Sequence, residues 1–412
     1  MSTGVRPVPE HVPAELVVDY DPVGGAWIKD FPPSAFDGLR EDYRVFWTTY
    51  GPGSWVLTRH ADIRAAYEDD ELFAQSGTIT AGTFMPLMIP LTLNAPEHKA
   101  WRRVLQPLFT PGRVRTLGES IRETARERLA DIGPRGACDV ATEFAIALPA
   151  AMFCDLLGLP RENFTSFNRL AFDLVYTPDV IRAREGHDAA QAFRAARNTE
   201  IETLVGDLVP LRREEPGDDL ISYLLAGRYE DRPLTVDEIV NISTLMFFAG
   251  TDSTGAMITY SLMFLARNPE YRQRLVDDPG DISKAADELI RYHGFHTLGR
   301  DVMRDVEFAG VRMKRGDRVW LPTGGGNHDP RAYERAQEVD FDRRAPGMLT
   351  FGAGPHRCLG APLATLEVKI ALEEFLAVIP DFRLDPDKEV EYAFSAPKAI
   401  PAHVALLYPP TR

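Results

Sequence analysis

The chain has 412 residues, 44% hydrophobic and 10% aromatic, and is therefore long and apolar enough to bury a large core. Its formal net charge of -15 argues against nucleic acid or an anionic membrane as a general partner. The three cysteines, at 138, 154 and 358, form no CxxC pair, which predicts a reducing compartment without structural disulfides. No signal-peptide pattern and no apolar run of membrane-spanning length is present, so we expect a cytoplasmic protein.

The first third of the chain mixes irregular and β-containing segments. Residues 1–20 are proline-rich and predict an irregular N-terminal segment. Alternating residues at 55–58 predict a strand, and a helix is expected to follow and to end near Glu68. Residues 74–96 carry few charges and many Gly, Thr, Met and Pro residues. This composition is typical of a lid or binding loop, or of a plain surface loop with apolar anchors.

The remainder of the chain is mainly helical. From Glu97 to about residue 275 the pattern predicts helices separated by Pro and Gly breaks, with no internal repeat. Shorter segments at 302–308, 311–313 and 318–321, and a pair within 393–408, predict strands. We therefore expect a mostly α fold with minor β structure, in one domain that spans residues 1–412.

A long helix is predicted from Val236 to Arg267, because Thr235 and Glu238 form a capping-box pattern and Pro269 follows its end. Its residues are apolar all round, which indicates burial. Residues 249–255 nevertheless include two glycines, an aspartate and three hydroxyl residues, which are costly inside a buried helix. Hydroxyl groups that compete for helix carbonyls predict a local opening and a polar notch. The alternative is a kink with a satisfied aspartate.

A glycine-rich loop at 351–360 delivers Cys358 to the start of a helix predicted over 361–376. Gly352 and Gly354 allow sharp turns, and Gly360 allows close approach to a flat group. The free N–H groups of a helix start favour a thiolate over a thiol. A single thiolate without neighbouring ligands is typical of haem rather than of zinc or an iron–sulfur cluster. The alternative is a buried cysteine in an ordinary turn.

Charged residues supply candidate carboxylate clamps. Glu288 and Arg291 are three apart on one helical face, and Arg300 lies in an apolar segment where a buried arginine requires an anionic partner. His98 and Arg102 are four apart on another predicted helix. Glu288 and Arg291 have the spacing of an ordinary ion pair, whereas Arg300 and the pair of His98 and Arg102 suit haem propionates. Solvated helix charges are the simpler interpretation of each set alone.

Taken together, these motifs resemble the cytochrome P450 family over the whole chain. Residues 351–360 resemble its haem-binding loop, Glu288-x-x-Arg291 its structural ion pair, and 327–330 with 341–342 its meander. The resemblance implies the cytochrome P450 fold, with a long central buried helix over haem and a small β region. It also implies haem b (iron protoporphyrin IX) as the cofactor, with Cys358 as the iron ligand.

The resemblance implies roles for further residues. The expected cofactor contacts are Arg300, His356, Arg102, His98, Phe351 and Gly360. Asp252 would relay protons together with Ser253 and Thr254. The family usually has threonine where this chain has Ser253, and serine lacks the methyl group that restricts the rotamer. The expected substrate pocket comprises Phe84, Met85, Met88, Leu245, Phe248, Ala249, Phe295 and His296, with His296 as a polar anchor or an ordinary packing residue.

The implied activity is hydroxylation of a small apolar, terpenoid-like or aromatic substrate with O₂. As in the soluble camphor-hydroxylating type, electrons would come from a 2Fe-2S ferredoxin and its flavin reductase. Candidate docking residues are Arg102, Arg103, Arg113 and Arg357. A monomer without nucleic-acid or membrane partners is expected. The alternatives are a peroxide-using or non-oxygenating haem-thiolate enzyme and a haem-binding sensor or carrier without turnover.

Overall fold

The computed structural model describes residues 8–20, 34–51, 53–75, 78–80, 83–84, 87–159, 163–175, 177–395 and 398–411. Helices dominate this part of the chain and short strands complete it, which confirms the mostly α class with minor β structure. The chain divides into two compact units. The first unit comprises Met1–Lys99, Asp287–Cys358 and Phe394–Ala399, and the second comprises Ala100–Ala286, Leu359–Ala393 and Ile400–Arg412. The prediction of a single domain stays a prediction.

The regular elements are numbered in chain order. The described helices are α1 Ser34–Asp42, α2 His60–Glu68, α3 Glu97–Leu105, α4 Pro111–Thr116, α5 Gly118–Ile132, α6 Ala147–Leu156, α7 Phe164–Val175, α8 Thr177–Glu185, α9 His187–Glu214, α10 Leu220–Ala226, α11 Val236–Arg267, α12 Pro269–Asp277, α13 Ile282–Tyr292, α14 Thr323–Asn327 and α15 Ala361–Val378. The described strands are β1 Val17–Val18, β2 Val45–Thr48, β3 Ser54–Leu57, β4 Phe73–Gln75, β5 Thr78–Thr80, β6 Thr83–Phe84, β7 Ala137–Asp139, β8 Arg228–Tyr229, β9 Arg232–Pro233, β10 Thr297–Val302, β11 Val306–Phe308, β12 Val311–Met313, β13 Arg318–Pro322, β14 Arg383–Leu384, β15 Glu391–Ser395, β16 Lys398–His403 and β17 Ala405–Leu407.

The first unit is built on a sheet of six strands in the order β1-β2-β3-β13-β10-β4. Strand β10 is antiparallel to both of its neighbours, and the register places Arg300 opposite Val319 on one side and Gln75 on the other. Trp47 and Trp55 meet edge to face at 5.2 Å in the core beneath the sheet. The sheet therefore holds Arg300 in an interior strand.

The strand predicted over 302–308 is wrong in its bounds. The structure has β10, which ends at Val302, and a separate β11, which begins at Val306. The intervening turn is held by the carboxylate of Asp305, which accepts from the Lys314 ammonium and from the backbone N–H of Arg315. A side chain that satisfies neighbouring donors in this way competes with a continuous ladder.

The second unit contains α11, whose bounds match the predicted helix. Thr235 accepts from the N–H of Glu238, and the Glu238 carboxylate accepts from the N–H of Thr235, which confirms the capping box. Thr251 and Ser253 donate to the carbonyls four residues earlier, each at 2.8 Å. The helix nevertheless runs without interruption, so the predicted local opening is not present.

Close packing accounts for both glycines in the middle of α11. A Cβ at position 250 would overlap the ring of Phe153, and a Cβ at position 255 would lie 3.2 Å from the Cα of Ile146. Both contacts involve the segment that carries α6. The energetic cost of these glycines, about 1 kcal/mol each relative to alanine, is therefore offset by helix packing.

The second unit also contains α15, which extends two residues beyond the predicted helix. Its Glu367 is only 1% exposed, and one carboxylate oxygen has no hydrogen-bond partner. Burial raises the pKa of this carboxyl to about 8, from an ordinary value of 4.5. The group is therefore protonated in the folded protein near neutral pH, which avoids an isolated buried charge.

We expect the free energy of unfolding to fall as pH rises from about 5 to 8, because the unfolded chain has already released the Glu367 proton while the folded chain retains it. Glu367→Gln should remove this slope, as measured by urea unfolding at pH 5, 6.5 and 8. Glu374→Gln on the same helix is the control. Burial raises the Glu374 pKa, but hydrogen bonds from Arg126 and Arg122 lower it overall. Glu374 therefore changes the pH dependence of the free energy of unfolding only at lower pH. An unchanged slope in Glu367→Gln would contradict the assignment.

Candidate active site

The cysteine loop closes on itself before α15 begins. The N–H of Cys358 donates to the carbonyl of Phe351 at 2.8 Å, and a short turn over Gly354–His356 lies inside the loop. Gly352 and Gly354 have φ values of 67° and 64°, so the turns predicted for these glycines are confirmed. Cys358 is exposed, whereas burial raises the pKa values of Cys138 and Cys154 to about 12. Cys358 is thus the one cysteine presented for chemistry.

Helix α2 packs directly against the cysteine loop. A Cβ at position 354 would collide with the carbonyl oxygen of Tyr67 and would lie 2.8 Å from the Cα of Glu68. The ring of Tyr67 also lies beside Gly352, 3.8 Å from the position of a Cβ there. The loop therefore needs Gly354 both for its backbone angle and for this close approach.

The predicted ion pair of Glu288 and Arg291 is buried and saturated. The carboxylate accepts two hydrogen bonds of 2.8 Å from the guanidinium of Arg291 and one of 3.0 Å from Arg343. The remaining donors of Arg291 go to the carbonyls of Asn327, Ala336 and Glu338. All five N–H groups of this arginine are used, which is what a charge buried at 0% exposure requires.

Asn327 connects this network to the cysteine loop. Its amide N–H₂ donates to the carbonyl of Arg291 and to the hydroxyl of Thr350, and its oxygen accepts from the N–H of Leu349. Thr350 in turn donates to the carbonyl of Ile290 at 2.8 Å. Helix α13 thereby holds the residues at which the loop starts. Sequence reasoning placed Asn327 in the meander but missed this role, as well as Arg343 and Thr350.

Arg300 is buried, and most of its donors are unused among the residues that the structure describes. It is 2% exposed, and the hydrogen bond that its side chain forms there goes to the carbonyl of Gly299 at 2.9 Å. Burial lowers its pKa, although electrostatic interactions with Tyr67, Asp301 and Asp70 oppose that effect. Among the described residues no carboxylate lies within ion-pair distance of it. A buried guanidinium of this kind fits an anionic group that the protein itself does not supply, such as a haem propionate.

Two predicted cofactor contacts meet in the first unit. The rings of His98 and His356 stack with centroids 3.7 Å apart and an interplanar angle of 20°. His98 is 2% exposed and His356 is half-buried. Arg102 follows one turn later on α3 and is half-buried. Phe351 and Gly360 are half-buried, and Gly360 directly precedes α15.

The predicted catalytic residues lie in the middle of α11. Asp252 and Thr254 are buried, Ser253 is half-buried and Ala249 is exposed. Exposure at Ala249 is unusual because the residues of the adjacent turns of this helix are buried or half-buried. Leu245, buried at 7% exposure, and the half-buried Phe248 precede it. We call the side that carries Phe248, Ala249 and Ser253 the open face of α11.

The remaining predicted pocket residues are spread over the first unit. Phe84 lies in β6, and Met85 lies outside the described residues. Met88 is half-buried, and its N–H donates to the hydroxyl of Thr92 at 3.0 Å. The rings of Phe295 and His296 are 4.5 Å apart, and the carbonyl of His296 accepts from Thr323. The polar or packing role of the His296 ring stays open.

The basic residues predicted to dock a partner differ in availability. Arg113 forms two hydrogen bonds, of 2.8 and 3.1 Å, with the carboxylate of Asp218, and these bonds hold the Asp218 pKa below its usual value. Arg103 and Arg357 are exposed. The charge of Arg113 is therefore already balanced by a neighbouring carboxylate.

Comparisons with known proteins place the chain in a family. The cytochrome P450 model matches residues 151–278 and 282–406. Probable cytochrome P450 127A1 of Sinorhizobium fredii is 32% identical over 392 residues, covering 92% of each chain. The mycinamicin IV hydroxylase/epoxidase of Micromonospora griseorubida is 32% identical and covers 84% of this chain and 87% of its own. The crystal structure of cytochrome P450 CYP101C1 superposes with a TM-score of 0.87 and 30% identity, covering 98% of this chain and 100% of that one.

The chain belongs to the cytochrome P450 family. Its fold is the cytochrome P450 fold, its cofactor is haem b and its activity is that of a haem-thiolate monooxygenase, so the resemblance read from the motifs is confirmed. Within the described part of the chain, no helix is both long and apolar enough to cross a membrane.

We expect Glu288→Gln to destabilise the folded protein by about 3–5 kcal/mol, because Arg291 and Arg343 would lose the buried negative charge that they share. Urea unfolding followed by circular dichroism measures this change. Glu338→Gln is the matched control, since Glu338 pairs with Arg335 at the same spacing of three residues but in an exposed position. Little change is expected there. If the two substitutions lower the free energy of unfolding equally, burial does not account for the contribution of the Glu288 pair to stability.

Proposed function

We propose that this cytochrome P450 hydroxylates a small apolar substrate, with Cys358 as the iron ligand and a 2Fe-2S ferredoxin with its flavin reductase as the electron source. The observation that carries the ligand assignment is the exposed Cys358 at the end of a loop fixed by Asn327 and Gly354, while the other two thiols are buried. An exposed thiol in a rigid loop is suited to binding a metal as the thiolate.

The donor set fits haem. Arg300 retains unused N–H donors, and the stacked His98 and His356 add two further polar groups within the same unit. We infer that these three residues, with Arg102, hold the propionates. When bound, haem supplies the activation of O₂ and the transfer of one oxygen atom, and thiolate donation from Cys358 favours O–O cleavage.

Residues of α11 would deliver the protons. Asp252 is a buried carboxyl beside the half-buried Ser253, and the two occupy consecutive positions of one helical turn. The hydroxyl of Ser253 donates to the carbonyl of Ala249 at 2.8 Å. A rotation about its Cα–Cβ bond would free this donor. We infer that Asp252 supplies the proton and that Ser253 presents it at the open face of α11.

The substrate is proposed to be apolar, terpenoid-like or aromatic. Phe248 and Ala249 give the open face of α11 an apolar lining, and the predicted pocket residue Leu245 lies one turn before Ala249. Such a lining suits a ligand bound mainly by burial of its surface. The relative described as a mycinamicin IV hydroxylase/epoxidase supports hydroxylation as the reaction. Exposed Arg103 and Arg357 supply positive charge for an acidic ferredoxin. A monomeric state and a cytoplasmic location stay predictions.

A peroxide-dependent reaction is the second candidate. Its support is Ser253, which stands where the family usually has threonine and lacks the methyl group that restricts the hydroxyl. A less restricted donor would couple electron transfer to oxygen transfer less tightly. Product formation with hydrogen peroxide alone, at a rate equal to that with NADH and redox partners, would favour this candidate.

We expect the reduced carbon-monoxide complex to show the red-shifted Soret band of thiolate haem, and Cys358→Ala to abolish this band. Cys154→Ala is the control, because that thiol is buried and should leave the band in place. Absorption spectra of the dithionite-reduced proteins make the measurement. Retention of the band in Cys358→Ala would refute the ligand assignment.

Asp252→Asn should slow NADH-dependent product formation by about 10²-fold or more, because the amide cannot transfer a proton as the carboxyl does. The substrate is the compound of a terpenoid and aromatic panel that gives the largest Soret shift, and its dissociation constant should change little. Asp237→Asn, in the exposed first turn of the same helix, is the control and should behave as the unmodified enzyme. Unchanged turnover in Asp252→Asn would exclude the proton-relay role.

A further inference from the structure

Arg291 and Arg300, two of the three buried arginines of the first unit, have their charges balanced in different ways. Arg291 uses all five N–H groups on Glu288 and on three carbonyl oxygens. Arg300 is similarly buried, but within the part of the chain that the structure describes its side chain donates one hydrogen bond, to the carbonyl of Gly299. Since an unbalanced guanidinium is costly in a low-dielectric interior, some other group must stabilise the charge of Arg300.

The ring of Tyr67 is that group. The guanidinium carbon of Arg300 lies over the ring, 5.2 Å from its centroid, which is the geometry of a cation–π contact. Asp301 and Asp70 contribute at longer range, and the carboxylate of Asp301 pairs with Arg318 at 3.4 Å. A ring face differs from a carboxylate because it attracts the cation without accepting its N–H hydrogens. The edge of the guanidinium therefore remains available.

Tyr67 itself is held firmly and uncharged. It is 2% exposed in α2, its hydroxyl donates over 3.5 Å to the carbonyl of Leu321, and its ring lies beside Gly352 of the cysteine loop. Burial raises its pKa to about 12. It is therefore a neutral phenol near pH 7. A phenolate would form an ion pair and would engage the donors that Arg300 leaves unused.

We propose that Tyr67 is a positioning residue for the cofactor: its ring holds Arg300 in place of a carboxylate, so that the guanidinium donors stay available for a haem propionate. This inference rests on the proposed role of Arg300. The ring of the same side chain lies beside Gly352 of the cysteine loop, so Tyr67 stands between the anion-binding group and the loop that carries Cys358. Sequence reasoning missed Tyr67, because nothing in the pattern of α2 distinguishes it from a core aromatic.

The experiment compares haem with haem dimethyl ester, in which both propionates are neutral. Each is reconstituted into the unmodified protein and into Tyr67→Leu and Tyr67→Phe, and its transfer to excess apomyoglobin is timed by absorbance. Tyr20→Leu is the matched control: Tyr20 is a buried tyrosine of the same unit whose ring packs on Phe36 and Phe46. Tyr67→Met replaces Tyr67→Leu if the latter does not fold, because methionine fills irregular space without a ring.

We expect Tyr67→Leu to lose haem about three- to tenfold faster than the unmodified protein, which corresponds to the usual strength of a cation–π contact. Tyr67→Leu should lose the dimethyl ester at the same rate as the unmodified protein does. Tyr67→Phe keeps the ring face and should retain haem as the unmodified protein does. Tyr20→Leu should affect haem and ester alike.

Two outcomes would overturn different claims. If Tyr67→Leu accelerates the loss of haem and of its ester equally, or accelerates neither, Tyr67 does not act through the propionate and the inference fails. The second outcome compares Arg300→Leu with the unmodified protein. If both proteins lose haem at the same rate, and that rate equals their rate of loss of the dimethyl ester, Arg300 does not hold a propionate and that part of the proposed function fails. The Soret band of the carbon-monoxide complex, recorded on the same samples, reports separately on Cys358.

Discussion

The buried hydrogen-bonded pair of Glu288 and Arg291 is the interaction on which the rest of the first unit depends. Two opposite charges at about 0% side-chain exposure are stable only if every remaining donor finds an acceptor, and here the acceptors are main-chain carbonyls of the segment 327–338. The hydrogen bonds that these carbonyls accept from Arg291 therefore fix the path of that segment. Asn327 belongs to the segment and binds the start of the cysteine loop, so the position of the thiol follows from the requirements of a charge far along the chain.

The parts of the structure that sequence reasoning predicted are those determined by local chemistry. The capping box of Thr235 and Glu238 defined α11, and the glycines at 352 and 354 defined the turns of the cysteine loop, because each depends on residues a few positions apart. The strand over 302–308 was placed wrongly, because the turn at Asp305 depends on donors at 314 and 315. Arg343, Thr350 and Tyr67 were missed for the same reason. Their roles depend on partners that are distant in sequence, and no spacing rule reveals such partners.

The glycines of α11 show a second way in which local reasoning fails. Their cost within a helix was correctly anticipated, but the packing that offsets this cost was not. The structure shows that the space is taken by Phe153 and by the backbone at Ile146. Helix propensity therefore identified positions 250 and 255 as unusual, but it did not reveal that close packing requires glycine there. The aspartate and hydroxyl residues between these glycines remain the candidates for chemistry, and Ser253 still faces the open side of the helix.

This packing also limits how α11 can respond to ligands. A rotation about the helix axis, or a slide by one residue, would drive a Cα or a side chain of α11 into Phe153 at one point and into the main chain at Ile146 at another. Two such contacts, five residues apart, restrict both the rotation of α11 about its axis and its translation along that axis. Adjustment to different ligands is then confined to side-chain rotamers on the open face. A side chain of the open face, such as Phe248, can accordingly be exchanged while Asp252 and Ser253 keep their places.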